Sequence, residues 1–279
     1  MTTLVASRRR VETTASVFLG AAVVALYLPV LRDLFCVWVH GTYYSYGPLV
    51  PLFSAYLARE AWSASTADGA PETQPAGFLL TAAGLVMLAV GQGLGSLTLR
   101  ALSLPVVLMG LVVGMVHAPL ARRLAFPIGF LIFMAPLPDG AVTGLSLPLQ
   151  QLAACVAEHV LRALGVHVVR DGLFVAIPSV TLHVTEACNG LRFLFAMLVI
   201  GTAFAGTMPQ RPLRRVALVV AAVLLSILAN LARVTGTGVM AELWSARAAV
   251  GLTHVIWGKV VYAAALVPFA GLVLLMRRR

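Results

Sequence analysis

Charged residues are scarce in this sequence, and their scarcity indicates the class of protein. Asp, Glu, Lys and Arg make up 11% of the 279 residues, whereas soluble globular domains carry about 25%. Hydrophobic residues account for 60% of the chain, and several apolar runs approach the roughly 20 residues that a helix needs to cross a bilayer. The composition excludes an ordinary soluble domain and predicts an all-α, polytopic membrane protein.

Cysteine is also rare, and the few cysteines form no recognisable pattern. The chain has three of them, Cys36, Cys155 and Cys188, with no CxxC pair, so it is not a disulfide scaffold. Its six histidines include no HExxH or similar metal-ligand spacing. We therefore expect neither a metal site nor a cofactor.

Eight apolar segments predict membrane-spanning helices. They lie at roughly 14–36, 41–58, 77–96, 101–118, 124–138, 188–207, 215–236 and 254–276. The second and fifth segments are short. The first follows Arg8–Arg10 and shows no small-residue cleavage site, so we interpret it as a membrane helix and not as a signal peptide.

The segment 139–187 between the fifth and sixth predicted spans has a different character. Its first half has a helical pattern but contains residues that are costly in hydrocarbon: Gln150, Gln151, Glu158 and Arg162. We expect this half to be an amphipathic helix lying at the membrane interface. Its second half alternates and is rich in Val and Thr, which predicts a small β-hairpin or meander.

The basic residues predict how the chain crosses the membrane. With a cytoplasmic N-terminus, 12 of the 20 Lys and Arg residues fall on the cytoplasmic side, as the positive-inside rule expects. They are Arg8–Arg10, Arg59, Arg122, Arg123, Arg211, Arg214, Arg215 and Arg277–Arg279. If the helix at 141–165 crossed the membrane instead of lying at the interface, the last two clusters would lie outside, so the charge pattern argues against such a crossing. The net charge of +10 is thus a topology signal, and we expect no nucleic-acid partner.

This layout predicts the organisation of the whole chain. A basic cytoplasmic segment, 1–13, precedes one membrane-embedded domain, 14–276, in which 139–187 is an extracytoplasmic loop. A basic tail, 277–279, ends the chain in the cytoplasm.

Three polar residues reach the same extracytoplasmic level in this layout. Cys188 begins the sixth span, Arg233 ends the seventh and His254 begins the eighth. A helix N-terminus and nearby cations favour the reactive thiolate of a cysteine. His254 is suited to proton transfer, and Arg233 is suited to hold an oxyanion or a substrate carbonyl. The three residues together predict a cysteine nucleophile with a proton carrier and an electrophilic partner.

Four neighbouring residues are candidates for supporting or substrate-binding roles: Glu186, Asn189, Arg192 and Asn230. Arg192 follows Cys188 by four residues and so lies one turn further on a helix, and Asn230 shares a helical face with Arg233. Glu186 orients either His254 or an arginine, or it caps the sixth span. Each residue alone also has a structural explanation, such as packing of a cysteine or snorkelling of an arginine. Cys36 and Cys155 lack a paired His or Arg in the sequence, so we expect them to be packing residues.

The motifs around these residues resemble a known family. "EACNGLR" (186–192), "NLAR" (230–233) and the later His254 resemble the exosortase/archaeosortase family of membrane cysteine transpeptidase-like proteases. Segments 43–57, 130–140 and 147–165 extend the resemblance, which covers about 40 to 276. By position, the family's nucleophile falls on Cys188, its arginine on Arg233 and its histidine on His254.

Asn189 departs from the family pattern, in which Ser often follows the nucleophilic cysteine. It retains a hydrogen-bond donor and suggests a subfamily with a different sorting signal.

The resemblance implies a sorting enzyme in the inner, or cytoplasmic, membrane with both termini in the cytoplasm. Such an enzyme cuts secreted proteins near a C-terminal signal made of a short motif, a transmembrane helix and a basic cluster. The motif is Pro-Glu-Pro in the best-known class. The expected partners are these secreted proteins, the lipid bilayer and an acceptor, which is water, an amine, or a glycolipid or polysaccharide.

Two other functions fit parts of the sequence. Intramembrane ionisable residues also mark transport pathways, but this chain shows no inverted repeat and its polar residues lie away from the midplane. A non-catalytic assembly or scaffold protein would use the loop at 139–187 to bind a partner. The joint presence of Cys188, Arg233 and His254 favours the enzyme over both.

Overall fold

The computed structural model describes residues 2–64, 74–208, 210–249 and 251–277. Their helices are α1 (Thr2–His40), α2 (Leu49–Ser63), α3 (Pro75–Gly93), α4 (Leu97–Met115), α5 (Ala118–Phe130), α6 (Asp139–Ala163), α7 (Leu191–Thr207), α8 (Pro212–Leu243) and α9 (Gly251–Arg277). Short 3-10 turns cover Leu131–Met134, Glu186–Cys188 and Ala246–Ala249. Of the predicted basic clusters, Arg8–Arg10 lie in α1, whose side chains are described from Phe18 onward, and Arg278 and Arg279 lie outside the described residues.

The predicted class, an all-α polytopic membrane protein, is confirmed. Seven helical segments in the described part of the chain are long and apolar enough to cross a membrane. They are Phe18–His40, Pro75–Gly93, Leu97–Met115, Asp139–Ala163, Glu186–Thr207, Pro212–Leu243 and Gly251–Arg277.

These seven segments differ from the predicted set at the second and fifth spans and at α6. Helix α2 has 15 residues and α5 has 13, both short of the roughly 20 needed to cross. The predicted fifth span, 124–138, stops early because Pro136 and Pro138 follow the 3-10 turn and disfavour helix in the residue before each. Helix α6, expected at the interface, has 25 residues and the apolarity of a span.

Two polar side chains of α6, Gln150 and Glu158, are buried and have partners in the protein. Gln150 is buried and donates from Nε2 to Ser146 Oγ at 2.7 Å. Glu158 is also buried and pairs with Arg162 at 2.9 Å and with Arg170 at 2.6 Å. Because these partners replace water, Gln150 and Glu158 do not face hydrocarbon, whereas Gln151 and Arg162 are exposed on the helix. The helical pattern alone could not identify Arg170, which lies outside α6.

Helix α6 runs parallel to α8. A Cβ at Gly238 of α8 would lie 2.9 Å from Leu161 Cδ1, and a small cavity nearer the start of both helices is lined by Leu149 and Ile227. The two helices therefore run in the same direction from N-terminus to C-terminus. Asp139 lies ten residues before Leu149, which is about 15 Å further toward the start of α8.

The predicted hairpin or meander is a three-stranded antiparallel meander. Strands β1 (Val169–Asp171), β2 (Phe174–Ile177) and β3 (Val180–His183) pair in the order β1-β2-β3, with Arg170 opposite Val175 and Val175 opposite Leu182. The inner face of the sheet, represented by Val175 and Ile177, is buried against α6 and α8 in one hydrophobic cluster, and Cys188 packs on the same cluster. The sheet therefore fixes the stretch of chain that leads into Cys188.

The helices form two compact units, residues 1–136 and 137–279. In the first unit, α3 and α4 pack at short range because small residues line their contact. Gly77, Gly84 and Gly91 of α3 are buried at seven-residue intervals. A Cβ at Gly84 would lie 2.9 Å from the backbone nitrogen of Val107 on α4. The second unit contains every candidate site residue from the sequence.

We predict that Gly110→Ala destabilises the first unit. A Cβ at Gly110 would lie 2.8 Å from Thr81 Cα and closer still to the Thr81 nitrogen and hydroxyl, so α3 and α4 must separate. We expect a loss of about 1–3 kcal/mol in the free energy of unfolding, measured by denaturant titration in mixed micelles. Gly93→Ala is the control because nothing lies within 4 Å of that position. Equal stability of the two variants would contradict the close packing.

Candidate active site

Cys188 ends a 3-10 turn that lies three residues before α7. The turn covers Glu186–Cys188, and Gly190 then adopts a left-handed backbone with φ of 75° before α7 begins at Leu191. Cys188 thus lies at the start of the sixth span, Glu186–Thr207, as expected, but the α-helix of that span begins three residues later. The left-handed residue also interrupts the helix, so Arg192 is not one helical turn from Cys188; it is exposed in the first turn of α7.

Gly190 and Asn189 shape the chain between Cys188 and α7. A Cβ at Gly190 would lie 2.6 Å from Asn230 Cγ, so both the positive φ and the close approach to α8 require glycine. Asn189 is 2% exposed. Its Oδ1 accepts from the Leu191 amide at 2.9 Å, and its Nδ2 donates to Ser146 Oγ at 2.7 Å. Asn189 therefore supports the turn and ties it to α6.

Helix α8 holds the backbone around Cys188 through two side chains. Asn230 Nδ2 donates to the carbonyl oxygen of Cys188 at 2.8 Å. One turn later, Arg233 Nη1 donates to the carbonyl oxygen of Ala187 at 3.1 Å. These two bonds fix the backbone beside the thiol. The Cys188 side chain itself is partly buried, with its Sγ 4.0 Å from Thr185 Oγ1.

Arg233 and His254 are in direct contact. Arg233 Nη2 lies 3.0 Å from His254 Nε2, and on the other side of the imidazole Thr237 Oγ1 lies 3.4 Å from Nδ1. Thr237 Oγ1 also donates to the carbonyl oxygen of Arg233 at 2.8 Å. The tertiary structure thus brings together the arginine and histidine that the sequence placed at one level.

Helix α9 packs around the Arg233 side chain. Tyr262 OH accepts from Arg233 Nη1 at 3.3 Å and donates to Asn230 Oδ1 at 3.3 Å, so Asn230 is linked to Arg233 through this hydroxyl. Trp257 Nε1 donates to the Arg233 carbonyl oxygen at 3.0 Å. A Cβ at Gly258 would lie 3.0 Å from Arg233 Nε, so this glycine leaves room for the guanidinium.

Tyr262 also connects the site to α7. Its ring stacks on Phe193, with 4.2 Å between the ring centroids, and the Arg233 guanidinium carbon lies 5.7 Å from the Tyr262 centroid. The Arg233 side chain is thereby enclosed by α7, α8 and α9. Its Nε is buried and makes no hydrogen bond within the described residues.

An open apolar groove of about 560 Å³ adjoins this cluster between α8 and α9. Its lining includes Gly236, Val239 and Met240 of α8 and Ile256, Trp257 and Val260 of α9. Trp257 forms part of the groove and also bonds to the backbone of Arg233. The groove therefore borders the cluster through Trp257, and neither Arg233 nor His254 lines it.

Two other sequence expectations meet a different arrangement. The Glu186 side chain is exposed and contacts neither His254 nor an arginine in the described part of the chain. Cys155, expected to lack a paired histidine, has His159 one turn later on α6, with 3.7 Å between Sγ and Nδ1. His159 Nδ1 also lies 2.8 Å from the Cys155 carbonyl oxygen, which favours a local helix contact over activation of the thiol.

Among the described residues, no group of three or more His, Cys, Asp or Glu side chains could hold a metal ion.

Sequence reasoning missed Thr237, Trp257, Gly258 and Tyr262. The spacing carried a weak signal, since Thr237 follows Arg233 by one helical turn and the other three follow His254 on the same helix. Residues of these types occur in any membrane helix, so only their contacts with Arg233 and His254 distinguish them.

Comparison with known proteins gives evidence that is independent of the site geometry. No curated protein and no solved structure matches the sequence. A family model described as transmembrane exosortase matches residues 38–271, which include Cys188, Arg233 and His254. The match covers most of the chain and confirms the resemblance found in the sequence motifs. The chain therefore belongs to the transmembrane exosortase family.

Proposed function

We propose that this protein is a membrane-embedded cysteine protease or transpeptidase that cleaves C-terminal sorting signals of secreted proteins at the extracytoplasmic membrane face. One observation carries the proposal: Arg233 bonds both to His254 Nε2 and to the carbonyl next to Cys188. A cationic donor and a proton carrier are thus assembled beside a cysteine. Membership of the exosortase family supports a sorting enzyme in general terms.

The proposed reaction assigns one role to each of the three residues. The Cys188 sulfur attacks the scissile carbonyl and forms a thioester, while the carbon–nitrogen bond breaks and the amine leaves. His254 accepts the thiol proton and then gives it to the leaving amine. The Arg233 N–H groups stabilise the negative charge that develops on the carbonyl oxygen. Water or an amine, including one on a glycolipid or polysaccharide, then releases the acyl group.

The contacts of Arg233 suggest how substrate binding starts the reaction. Its N–H groups are shared among His254, Ala187 and Tyr262. A substrate carbonyl would compete for the same donors. When Arg233 turns toward that carbonyl, it releases His254 Nε2, which is then able to take the Cys188 proton. Asn230 and Asn189 hold the turn and so have supporting roles, whereas the exposed Glu186 and Arg192 would contact substrate.

The groove between α8 and α9 suggests how a membrane-bound substrate reaches the site. Its walls are apolar, and Trp244 and Trp257 line it, which is typical of the level where a membrane meets water. We propose that the transmembrane helix of the sorting signal arrives laterally through the bilayer. The peptide just outside that helix would then lie along the groove, level with the Arg233–His254 pair.

The proposed orientation follows from the length and direction of the helices. Arg211, Arg214 and Arg215 flank the start of α8, and Arg233 lies about 30 Å along the helix from Pro212, which is the thickness of the hydrocarbon core. Cytoplasmic arginines thus imply an extracytoplasmic site.

Since α6 runs parallel to α8, it crosses in place of the predicted fifth span. With the short α2 as a further crossing there are eight, so both termini are in the cytoplasm of an inner-membrane protein.

We predict that the two ends of α6 are accessible from opposite sides of the membrane. In a variant with Cys36, Cys155 and Cys188 replaced by Ser, Gly140→Cys should react with an impermeant thiol reagent only after permeabilisation. Ser179→Cys, in the turn between β2 and β3, should react in intact cells. Both positions are exposed, and nothing surrounds a Cβ at Gly140. Labelling of Gly140→Cys in intact cells would instead mean that α6 lies on the outer surface.

We predict that Cys188→Ala abolishes processing of a secreted protein with a C-terminal motif, helix and basic cluster. The precursor should accumulate because no thioester forms, and its size is followed by immunoblotting at equal membrane abundance of each variant. Cys155→Ala is the matched control, since this thiol is also partly buried but lies on α6 with only a local histidine contact. Normal processing by Cys188→Ala would remove the nucleophile and favour a non-catalytic membrane protein.

We predict that Gly258→Ala reduces the rate of cleavage without lowering stability. The added Cβ would lie 3.0 Å from Arg233 Nε and 3.5 Å from Cδ, so the guanidinium must shift, and a displacement of 1 Å can cost about 100-fold in rate. Alanine favours helix over glycine, so unfolding should be unaffected. Gly271→Ala on the same helix is the control, because its surroundings are open. Equal rates for both variants would show that the position of Arg233 does not limit cleavage.

A further inference from the structure

The contacts of His254 define where its proton lies. Arginine carries only hydrogen-bond donors, so at 3.0 Å from Arg233 Nη2 the Nε2 atom of His254 must accept. A neutral imidazole has one N–H, and the other ring nitrogen, Nδ1, therefore carries the hydrogen. The structure selects one of the two tautomers, with the lone pair on Nε2.

Thr237 accepts the hydrogen of Nδ1. Its hydroxyl hydrogen is already donated to the Arg233 carbonyl oxygen at 2.8 Å, which leaves the oxygen lone pairs to face Nδ1 at 3.4 Å. Each hydrogen of the group then has one acceptor: Arg233 donates to His254, His254 to Thr237, and Thr237 to the backbone of Arg233. The opposite tautomer would place two hydrogens between Arg233 and Nε2.

We propose that Thr237 is the positioning residue of His254, holding its imidazole in the tautomer that presents Nε2 as the proton acceptor. The inference rests on the proposed role of His254 in cleavage. When Nε2 takes the thiol proton from Cys188, the hydrogen on Nδ1 stays in place, and the ring becomes positively charged. Its bond to the Thr237 oxygen is then charge-assisted and stronger. This bond stabilises the imidazolium that the nearby Arg233 charge disfavours.

A purely structural role for Thr237 predicts a different result. Threonine in a helix commonly donates to the carbonyl one turn earlier, and that bond alone would do nothing for His254. The chain contains a matched control for this case. Thr235 lies on the same helix and is similarly buried, with 9% exposure against 6% for Thr237, but its hydroxyl makes no hydrogen bond in the described part of the structure.

The experiment compares Thr237→Val, Thr237→Ser and Thr235→Val with the unaltered protein in detergent. The first readout is the ¹⁵N chemical shifts of the His254 ring, identified by their loss in His254→Gln. The second is kcat and KM for cleavage of a sorting-signal peptide. Thr237→Val removes the acceptor of the Nδ1 hydrogen, so it should shift the Nδ1 resonance and lower kcat roughly 10- to 100-fold, as for other bonds that orient a functional imidazole. KM should change little, because the hydroxyl does not touch substrate.

The controls separate positioning from packing. Thr237→Ser keeps the hydroxyl and should restore both the Nδ1 resonance and kcat. Thr235 lines the groove, so Thr235→Val is compared by the ¹⁵N readout alone, where it should match the unaltered protein. The proposal is overturned if Thr237→Val leaves the Nδ1 resonance unchanged, if Ser fails to restore it, or if Thr235→Val shifts it equally. The ¹⁵N readout needs no substrate, so it tests Thr237 even if the unaltered protein cleaves no signal peptide, a result that would count against the proposed function alone.

Discussion

The guanidinium of Arg233 is the group on which the rest of the site depends. It extends from α8 to three positions at once: the carbonyl of Ala187 before α7, and His254 and Tyr262 on α9. A charged group that leaves water costs several kcal/mol unless it is hydrogen-bonded, so these contacts are needed for stability as well as for chemistry. They also fix the turn that carries Cys188 relative to His254. The surrounding residues follow from this need, since Gly258 leaves space and Tyr262 supplies both a ring and a hydroxyl.

A second constraint acts through α6, because polar side chains in an apolar setting need protein partners. Ser146 connects Gln150 to Asn189, and Asn189 in turn supports the turn after Cys188. At the other end of the helix, Glu158 joins Arg170 of the sheet, and this bond raises the pKa of Arg170 above its usual value. The same residues therefore let α6 lie beside α8 and build the frame around the thiol. The outer sheet then packs over this frame in one apolar cluster.

These constraints determine how the groups of the proposed reaction are held in place. Cys188 lies in a short turn whose backbone is held by α8, and His254 is held between Arg233 and Thr237. The reacting groups are thus positioned by hydrogen bonds among helices and not by a loop that closes over them. An apolar groove borders this group through Trp257, which suits a substrate that is itself held in the bilayer. Membership of the transmembrane exosortase family is consistent with this arrangement.

The sequence by itself determined the class of protein and a small hairpin or meander after α6, because hydropathy and charge position are local properties. It also predicted that Cys188, Arg233 and His254 share one level. Only the tertiary structure decided that α6 replaces the segment 124–138 as a helix of spanning length. The reason is that two contacts of its polar side chains lie elsewhere in the chain: Glu158 pairs with Arg170 of the sheet, and Ser146, the partner of Gln150, accepts from Asn189. The interruption at Gly190 was likewise hidden, since its φ and its contact with Asn230 depend on the packing of α8. Thr237 and Tyr262 acquire their roles only through neighbours 17 to 32 residues away along the chain, and no local pattern records such a contact.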